Sequence, residues 1–293
     1  MASQAVELRL NSITRITMKN PRRRVAAIQL ASGSNVNANL LETERLAEQA
    51  AKQGAELVVL PENFAFMGRN CSDTNAYREE PGDGPLQSFL SQLAKRLGVW
   101  IVGGTIPLEA EHAAKWRAAC TVYDEKGRQV ARYDKQHLFD VNLVESDEQF
   151  VESEAIEPGD RVVVLDSPVG RLGLSVCYDL RFPELYRAMV DRGVEVVTLP
   201  AAFTAITGRA HWETLVRARA IENLTYVIAS AQGGFHIASR ETHGHSMIVD
   251  PWGTILAQQE RGNGFILADI DHDFQNTTRR NFPCLDHRRL HCR

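Results

Sequence analysis

A chain of 293 residues, 44% hydrophobic and 24% charged, is long enough to bury a large core as one domain or two. Its formal net charge of −4 at pH 7 provides no basic field for nucleic acid or an anionic membrane, and no apolar run approaches the ~20 residues of a membrane-spanning helix. The five cysteines are scattered without paired short spacings, which argues against a disulfide framework or a zinc module and favours a reducing compartment.

The two ends of the chain differ in character from its body. Residues 1–22 lack the apolar segment of a secretory signal, and we expect them to be a disordered extension. Because basic residues outnumber the single acid Glu7 there, a mitochondrial transit peptide is the alternative to a cytoplasmic protein. Residues 272–293 are polar with little pattern and are expected to be a C-terminal tail, which leaves residues 23–271 as one domain.

The first half of the body predicts a parallel crossover. Residues 25–30 and 57–60 are short apolar runs typical of buried strands, and the segment 37–53 between them has apolar residues near helical spacing. A strand, a helix and a second strand in this order imply parallel strands in a sheet that is covered on at least one face. A further helix is predicted over residues 86–97 and a further strand over residues 100–104.

Two hairpins and a second crossover follow. Residues 119–123 are expected to pair with 129–134, and residues 161–166 with 171–176, because a short loop containing glycine separates each pair. The connection over residues 135–160 has a length that is usually functional or disordered. The remaining predicted elements are helices over residues 182–192 and 211–223 and strands over residues 194–199, 225–231, 244–249, 255–258 and 265–270. The whole pattern predicts an α/β fold of two facing mixed sheets with helices outside.

Cys177 occupies the turn between a predicted strand and a predicted helix. The apolar run 172–176 ends just before it, and Pro183 opens an amphipathic helical pattern just after it. A thiol near the positive end of a helix dipole is expected to favour the thiolate, as a nucleophile requires. The alternative is that Cys177 is a small apolar filler of the core.

Two charged residues also follow predicted strands. Glu62 emerges at the carboxyl end of the strand over residues 57–60, where α/β proteins usually build their sites, although a structural cap or loop partner is the alternative. Lys135 ends the hairpin strand over residues 129–134, where an exposed edge charge is the alternative.

The segments that contain these three residues resemble the signature regions of the nitrilase, or carbon–nitrogen hydrolase, superfamily. The segments are residues 61–63, 133–140 and 177–184, and their order along the chain is that of the family. The resemblance covers nearly the whole chain and implies a four-layer α-β-β-α sandwich that pairs with another subunit, as a homodimer or larger homo-oligomer. It also implies an amidase or nitrilase without a metal or organic cofactor, acting on a small molecule and binding neither nucleic acid nor membrane.

The resemblance also implies a role for each residue. Cys177 would attack the amide carbon and Glu62 would transfer protons, while Lys135 and the backbone N–H of Tyr178 would stabilise the oxyanion. Glu152, ahead of a Pro-Gly pair, resembles a second acid of the family; the alternative is that it belongs to a solvated, acid-rich loop.

Further segments resemble the Nit subfamily, whose substrates are α-keto acid amides that carry a carboxylate. They are residues 203–213, 217–223 and 244–253. Arg181 is the residue expected to bind the carboxylate, with a local ion pair to Glu184 or Asp179 as the alternative. By the same resemblance Phe203 and Thr207 would line the acyl pocket, and core packing is the alternative for Phe203.

Residues 231–236 resemble the branch of the Nit subfamily that hydrolyses deaminated glutathione. That reaction cleaves the α-ketoglutaramyl amide of cysteinylglycine and releases 2-oxoglutarate and Cys-Gly. An ω-amidase acting on α-ketoglutaramate is the alternative, since the acyl half of the two substrates is shared.

The histidines and the fold itself suggest rival interpretations. His243 and His245 are spaced as two metal ligands could be, although no cluster of other ligand residues lies beside them in the sequence. A Cys–His hydrolase with His137 or His245 as its base would leave Glu62 and Lys135 dispensable. A catalytically silent interaction protein on the same fold is the third alternative.

Overall fold

Two β-sheets face each other at the centre of the protein, and helices cover their outer faces. The computed structural model describes residues 23–69, 71–143 and 148–290, so the predicted extension over residues 1–22 lies outside the described residues. Within them, no helix is long and apolar enough to cross a membrane. The layering is that of the predicted four-layer α-β-β-α sandwich.

The described chain contains seventeen strands and six α-helices. The strands are β1 (Arg23–Gln29), β2 (Leu57–Val59), β3 (Trp100–Val102), β4 (Ile106–Glu109), β5 (Trp116–Tyr123), β6 (Gln129–Asp134), β7 (Asp140–Leu143), β8 (Glu148–Val151), β9 (Val164–Ser167), β10 (Gly170–Leu174), β11 (Val196–Ala201), β12 (Tyr226–Ala231), β13 (Gly233–Phe235), β14 (Glu241–His243), β15 (Ser246–Val249), β16 (Ile255–Gln259) and β17 (Gly264–Ile270). The α-helices are α1 (Val36–Lys52), α2 (Cys71–Thr74), α3 (Pro85–Leu97), α4 (Pro183–Val190), α5 (Ala205–Asn223) and α6 (His272–Asn281).

Each large sheet has a parallel centre and antiparallel edges. The first has the order β17-β1-β2-β3-β5-β4, with β6 also paired to β5, and the second has the order β16-β15-β12-β11-β10-β9. Strands β1, β2 and β3 are parallel, as are β10, β11 and β12, and both predicted hairpins form. The predicted crossovers are therefore confirmed.

Strand β1 shows how the layers are held together. Successive side chains of a strand point to opposite faces, so Val25 and Ala27 lie in the core between the sheets, while Ala26 and Ile28 lie in the core beneath α1 and α3. All four are fully buried. A strand that is buried on both faces has an uninterrupted run of apolar residues in the sequence. The prediction of a strand over residues 25–30 depends on such a run.

The carboxyl ends of several strands meet at one edge of the sandwich. Strand β6 is antiparallel to β5, which is antiparallel to β3, so β6 runs in the same direction as β2. The chain segments that follow β2, β6, β10 and β11 carry Glu62, Lys135, Cys177 and Phe203. This arrangement gathers residues that are far apart in the sequence.

Several segments differ from the sequence prediction, and β4, β13 and β14 are strands that it does not include. The connection over residues 135–160 contains the hairpin β7–β8, and α5 begins at Ala205, earlier than predicted, where the Thr204 side chain accepts a hydrogen bond from the Thr207 N–H. The segment 272–293, predicted as a tail, begins with the helix α6, which is capped by Asp271. Most side chains of α6 are polar, so hydrophobic periodicity does not reveal it.

Helix α6 is anchored by polar rather than apolar contacts. Gln275 is fully buried, and its Nε2 donates to the carbonyl oxygens of Glu195 and Leu224 at 2.8 and 3.0 Å.

We expect Gln275→Leu to lower the free energy of unfolding by about 1–3 kcal/mol, because two buried hydrogen bonds are lost. Urea denaturation measures the change. The exposed neighbour Asn276 provides the control, since Asn276→Ala should change stability by less than about 0.5 kcal/mol. Equal, small effects at both positions would contradict this role of Gln275.

Candidate active site

Glu62, Lys135 and Cys177 come together at one edge of the sandwich. Each residue follows the end of a strand, and the exposed fractions are 4% for Glu62, 1% for Lys135 and 8% for Cys177. Three polar or ionisable side chains buried in one place must bond one another, because a buried charge without a partner is costly.

Lys135 is held between two carboxylates. Its Nζ donates to Glu62 Oε1 at 2.9 Å and to Glu152 Oε1 and Oε2 at 3.0 and 2.8 Å. Burial alone would lower the pKa of Lys135, but the charges of Glu152 and Glu62 outweigh burial and hold that pKa well above its usual value. Lys135 is therefore a fixed positive charge, and the alternative of an exposed edge charge is wrong.

Glu152 belongs to this cluster rather than to a solvated loop. It lies in a short 3-10 turn after β8, and its Oε2 also accepts a hydrogen bond from the Phe139 N–H at 2.8 Å. The carboxylate of Glu152 is thus fixed from two sides. The structure places Glu152 where a second acid would contact the lysine.

The Cys177 sulfur accepts a hydrogen bond from the Ala202 N–H, with Sγ and N 3.5 Å apart, and the Glu62 carboxylate lies close enough to act on the thiol. Burial and the Glu62 charge raise the pKa of this thiol well above its usual value, against the opposing effect of Lys135. The expectation of a resting thiolate is therefore wrong. Helix α4 begins only at Pro183, and Cys177 instead opens a 3-10 turn over Cys177–Arg181, so no long helix points its positive end at the sulfur.

The backbone at Cys177 is bent, and a buried aspartate holds the bend. Cys177 has φ of 47°, in the left-handed region that non-glycine residues rarely adopt. Asp179, fully buried, accepts hydrogen bonds from the Val176 N–H at 2.8 Å, the Tyr133 hydroxyl at 2.7 Å and the His137 N–H at 3.2 Å. Asp179 thus ties the turn of Cys177 to the strand end that carries Lys135. The role of Asp179 is not visible in the sequence, because only the fold shows that this acid is buried beside the nucleophile.

The Glu62 turn is fixed by close backbone packing. Asn63 has φ of 56°, and its N–H donates to Thr105 Oγ1 at 2.9 Å. Gln232 Nε2 donates to the Glu62 carbonyl at 3.0 Å. Gly104, with φ of 58°, lies against the Pro61 carbonyl, where a Cβ atom would collide.

A cavity of about 640 Å³ opens above these residues. Its lining includes Glu62, Glu152, Cys177, Tyr178, Arg181, Phe203 and Thr207, which are seven of the eight residues singled out from the sequence. The eighth, Lys135, lies beneath the lining between its two carboxylates. The volume is typical of pockets that enclose small molecules of drug size.

Arg181 presents its guanidinium to the aromatic wall of the cavity. The guanidinium carbon lies 5.8 Å from the ring centroid of Tyr178 and 5.4 Å from that of Phe203, and Nη1 is 3.3 Å from His211 Nδ1. Arg181 forms no salt bridge within the described residues, and Asp179 is bonded to other groups. The alternative of a local ion pair with Asp179 is therefore wrong, and the guanidinium is available to a bound anion.

Phe203 and Thr207 occupy the same side of the cavity. The Phe203 ring packs 4.9 Å from the Trp212 ring, centroid to centroid, so it contributes to both the core and the lining. The Thr207 hydroxyl lies 2.9 Å from that of Thr204, at the start of α5.

Comparison with known proteins agrees with this geometry. The model of the carbon-nitrogen hydrolase family matches residues 24–280. The chain belongs to the carbon-nitrogen hydrolase family. It is therefore a hydrolase of carbon–nitrogen bonds, the resemblance seen in the sequence is confirmed, and the alternative of a silent interaction protein loses its support.

The individual relatives lie in the same family. The chain is 42% identical over 274 residues to the deaminated glutathione amidase of Yersinia enterocolitica, covering 93% of this chain and 94% of that one. It is 44% identical over 267 residues to the deaminated glutathione amidase of a Synechocystis strain, covering 90% and 97%. Among solved structures, the C. elegans NitFhit protein matches with a TM-score of 0.82 at 36% identity, over 93% of this chain and 66% of that chain.

The histidines do not form either rival site. No group of three metal-ligating side chains occurs in the part of the chain that the structure describes. His243 and His245 stack with ring centroids 4.3 Å apart, and burial together with the neighbouring His245 lowers the pKa of His243 to about 4. His137 Nδ1 lies 2.7 Å from Asp179 Oδ1, and Glu62 takes the place at the thiol that a Cys–His hydrolase would give to histidine.

The protonation state of the thiol is directly measurable. Because burial and Glu62 raise the pKa of Cys177, we expect the substrate-free protein to show no thiolate absorbance from this residue at neutral pH. The ultraviolet difference between the wild-type protein and Cys177→Ala, followed across pH, isolates the signal. A thiolate plateau that persists below pH 7 would contradict the expectation.

Proposed function

We propose that the protein hydrolyses deaminated glutathione to 2-oxoglutarate and Cys-Gly through an acyl-enzyme on Cys177. The observation that carries the proposal is the cluster of Glu62, Lys135 and Cys177 at the floor of one cavity, with Arg181 on its wall. Two relatives that match nearly their whole length are deaminated glutathione amidases, which supports the choice of substrate.

The first half of the proposed reaction forms a thioester. As the Cys177 sulfur attacks the amide carbon, its proton passes to the neighbouring Glu62 carboxylate, so no resting thiolate is needed. Negative charge develops on the carbonyl oxygen. The Lys135 charge and the Tyr178 N–H, which donates to no acceptor within the described residues, stabilise it. Glu62 then gives the proton to the nitrogen, the C–N bond breaks, and Cys-Gly leaves.

The second half releases the acyl group by hydrolysis. Glu62, ionised again, accepts a proton from a water molecule whose oxygen attacks the thioester carbon. The C–S bond breaks, the proton returns to the sulfur, and 2-oxoglutarate leaves with the thiol restored. Glu152 keeps the Lys135 ammonium fixed throughout, since its carboxylate accepts two of the three hydrogen bonds that Nζ donates.

We assign the carboxylate of the acyl half to Arg181. A guanidinium binds a carboxylate with two parallel hydrogen bonds, and Arg181 lies in the same 3-10 turn as the nucleophile. Phe203 and Thr207 would enclose the carbon chain between the carboxylate and the thioester.

We also propose a homodimer or larger homo-oligomer in the cytoplasm. Trp252 and Phe282 are 59% and 51% exposed and stack edge to face with centroids 5.8 Å apart, an apolar surface suited to a protein contact. The free thiols of Cys120, Cys177 and Cys284 suit a reducing compartment.

The acyl-enzyme provides the test of the nucleophile. Cys177→Ala should lower turnover of deaminated glutathione by more than ~10³-fold, because the covalent path is lost. Mass spectrometry of the wild-type protein quenched during turnover should show an α-ketoglutaryl adduct on Cys177. Cys284→Ala, which changes a thiol outside the cavity lining, should retain turnover. Turnover that survives Cys177→Ala would overturn the mechanism.

The carboxylate requirement provides the test of the substrate class. We expect wild-type turnover of deaminated glutathione and α-ketoglutaramate, and far less of a simple nitrile or a carbamoylated amine. Arg181→Met should lower kcat/KM for both keto-acid amides by about 10- to 100-fold, since a charged hydrogen bond to either substrate is lost. Faster turnover of the nitrile or the carbamoylated amine would contradict the proposal, and a clear preference for α-ketoglutaramate would indicate an ω-amidase.

A further inference from the structure

A further arginine, Arg240, lines the cavity together with Arg69 and Arg181. Arg240 follows the 3-10 turn Ile237–Ser239 and contributes to the lining that also contains Cys177. Its Nε is buried and has no hydrogen-bond partner within the described residues, and no salt bridge to Arg240 occurs there. A buried donor without an acceptor costs about 1–3 kcal/mol, so a binding partner from outside the protein would be favoured.

A row of aromatic rings joins Arg240 to Arg181. The Arg240 guanidinium carbon lies 5.8 Å from the Phe150 ring, the Phe150 and Phe139 rings are 5.2 Å apart, and the Phe139 and Tyr178 rings are 5.0 Å apart. Arg181 lies over the other end, 5.8 Å from the Tyr178 ring. The wall thus carries a positive charge at each end, and the nucleophile is next to Tyr178 in the chain.

We propose that Arg240 binds the terminal carboxylate of the amide's leaving group. This assignment rests on the proposed function, in which Arg181 binds the carboxylate of the acyl half. Deaminated glutathione has a second carboxylate, on the glycine at its far end, whereas α-ketoglutaramate has only the first. With the amide carbon at Cys177, the leaving group extends along Phe139 and Phe150 towards Arg240.

The charges around the cavity make this arginine necessary for such a substrate. Glu62, Glu152 and Glu154 all contribute to the lining, and Lys135 lies beneath it, so an anionic leaving group meets acidic side chains. Arg240 supplies an opposing charge at the end of the aromatic row, and Arg69 adds another cation to the lining. A charge-assisted pair with a carboxylate would satisfy the buried Nε–H and offset the repulsion.

Arg240 thereby acts as a specificity residue rather than a catalytic one. It touches the part of the substrate that departs with the amine and has no contact with the reacting atoms. Its loss should weaken binding of the longer substrate, and the effect should appear in KM more than in kcat.

The test compares two substrates in one variant. For Arg240→Gln, kcat/KM on deaminated glutathione should fall by about 10- to 100-fold, and this loss should exceed the loss on α-ketoglutaramate by at least about 10-fold. Deaminated glutathione with its glycine carboxylate converted to an amide should show the same loss in the wild-type protein. In Arg240→Gln, converting the carboxylate to an amide should lower kcat/KM no further, because the substitution and the amide remove the same interaction.

The controls separate this assignment from the function on which it rests. Arg45→Gln removes one positive charge from the exposed surface of α1 and should preserve both rates. The role of Arg240 alone would be overturned if Arg240→Gln lowered kcat/KM equally for the two substrates. It would also be overturned if the losses of kcat/KM from the amide and from the variant added together. Failure of the wild-type protein to hydrolyse either keto-acid amide would overturn the proposed function and this assignment together.

Discussion

The structure depends on one buried ammonium between two carboxylates. Removing Lys135, Glu62 and Glu152 from water costs several kcal/mol for each charge, and their mutual attraction offsets this cost only if the geometry is close. The distances of 2.8–3.0 Å from Nζ require the ends of β2 and β6 and the turn after β8 to meet at one point. The charged cluster is therefore a constraint on how the sandwich assembles as well as a reactive site, since loss of Lys135 leaves both carboxylates without the positive charge that they share.

The same cluster determines how the nucleophile is used. Two carboxylates and one ammonium leave an excess negative charge near Cys177, and burial adds to its effect on the thiol pKa. A sulfur held neutral in this way reacts only when its proton has an acceptor and the developing oxyanion has a donor. In the proposed reaction Glu62 is that acceptor, the Tyr178 N–H is the donor, and the Lys135 charge adds to its effect. Reactivity is thus coupled to the presence of a carbonyl group in the cavity, unlike that of a thiolate activated in advance.

Local sequence pattern predicted the elements that bury an apolar face or an apolar run, and failed where particular polar contacts decide. The strand over residues 25–30 and the helix over residues 37–53 follow from apolar periodicity, and the positions of Glu62 and Lys135 follow from strand ends. Helix α6 was missed because Gln275 anchors it through distant carbonyls. The thiol was expected to be ionised because a nearby helix start is visible in the sequence, whereas burial and the approach of Glu62 are not. Asp179 and Arg240 acquire their roles only from what surrounds them in the fold.

In the proposed assignments, the cavity divides its two recognition tasks between different parts of the chain. Tyr178 and Arg181 belong to the same 3-10 turn as the nucleophile, so recognition of the acyl half is tied to catalytic geometry. Arg240 lies between β13 and β14, a separate two-stranded hairpin that contributes no side chain to the charged cluster. A change in the β13–β14 connection can therefore alter which leaving group is accepted while Lys135 and Cys177 stay in place. A change in the turn over Cys177–Arg181 cannot, because Asp179 links that turn to the strand end that carries the lysine. Substrate range on the leaving-group side is accordingly the property that this architecture leaves free to vary.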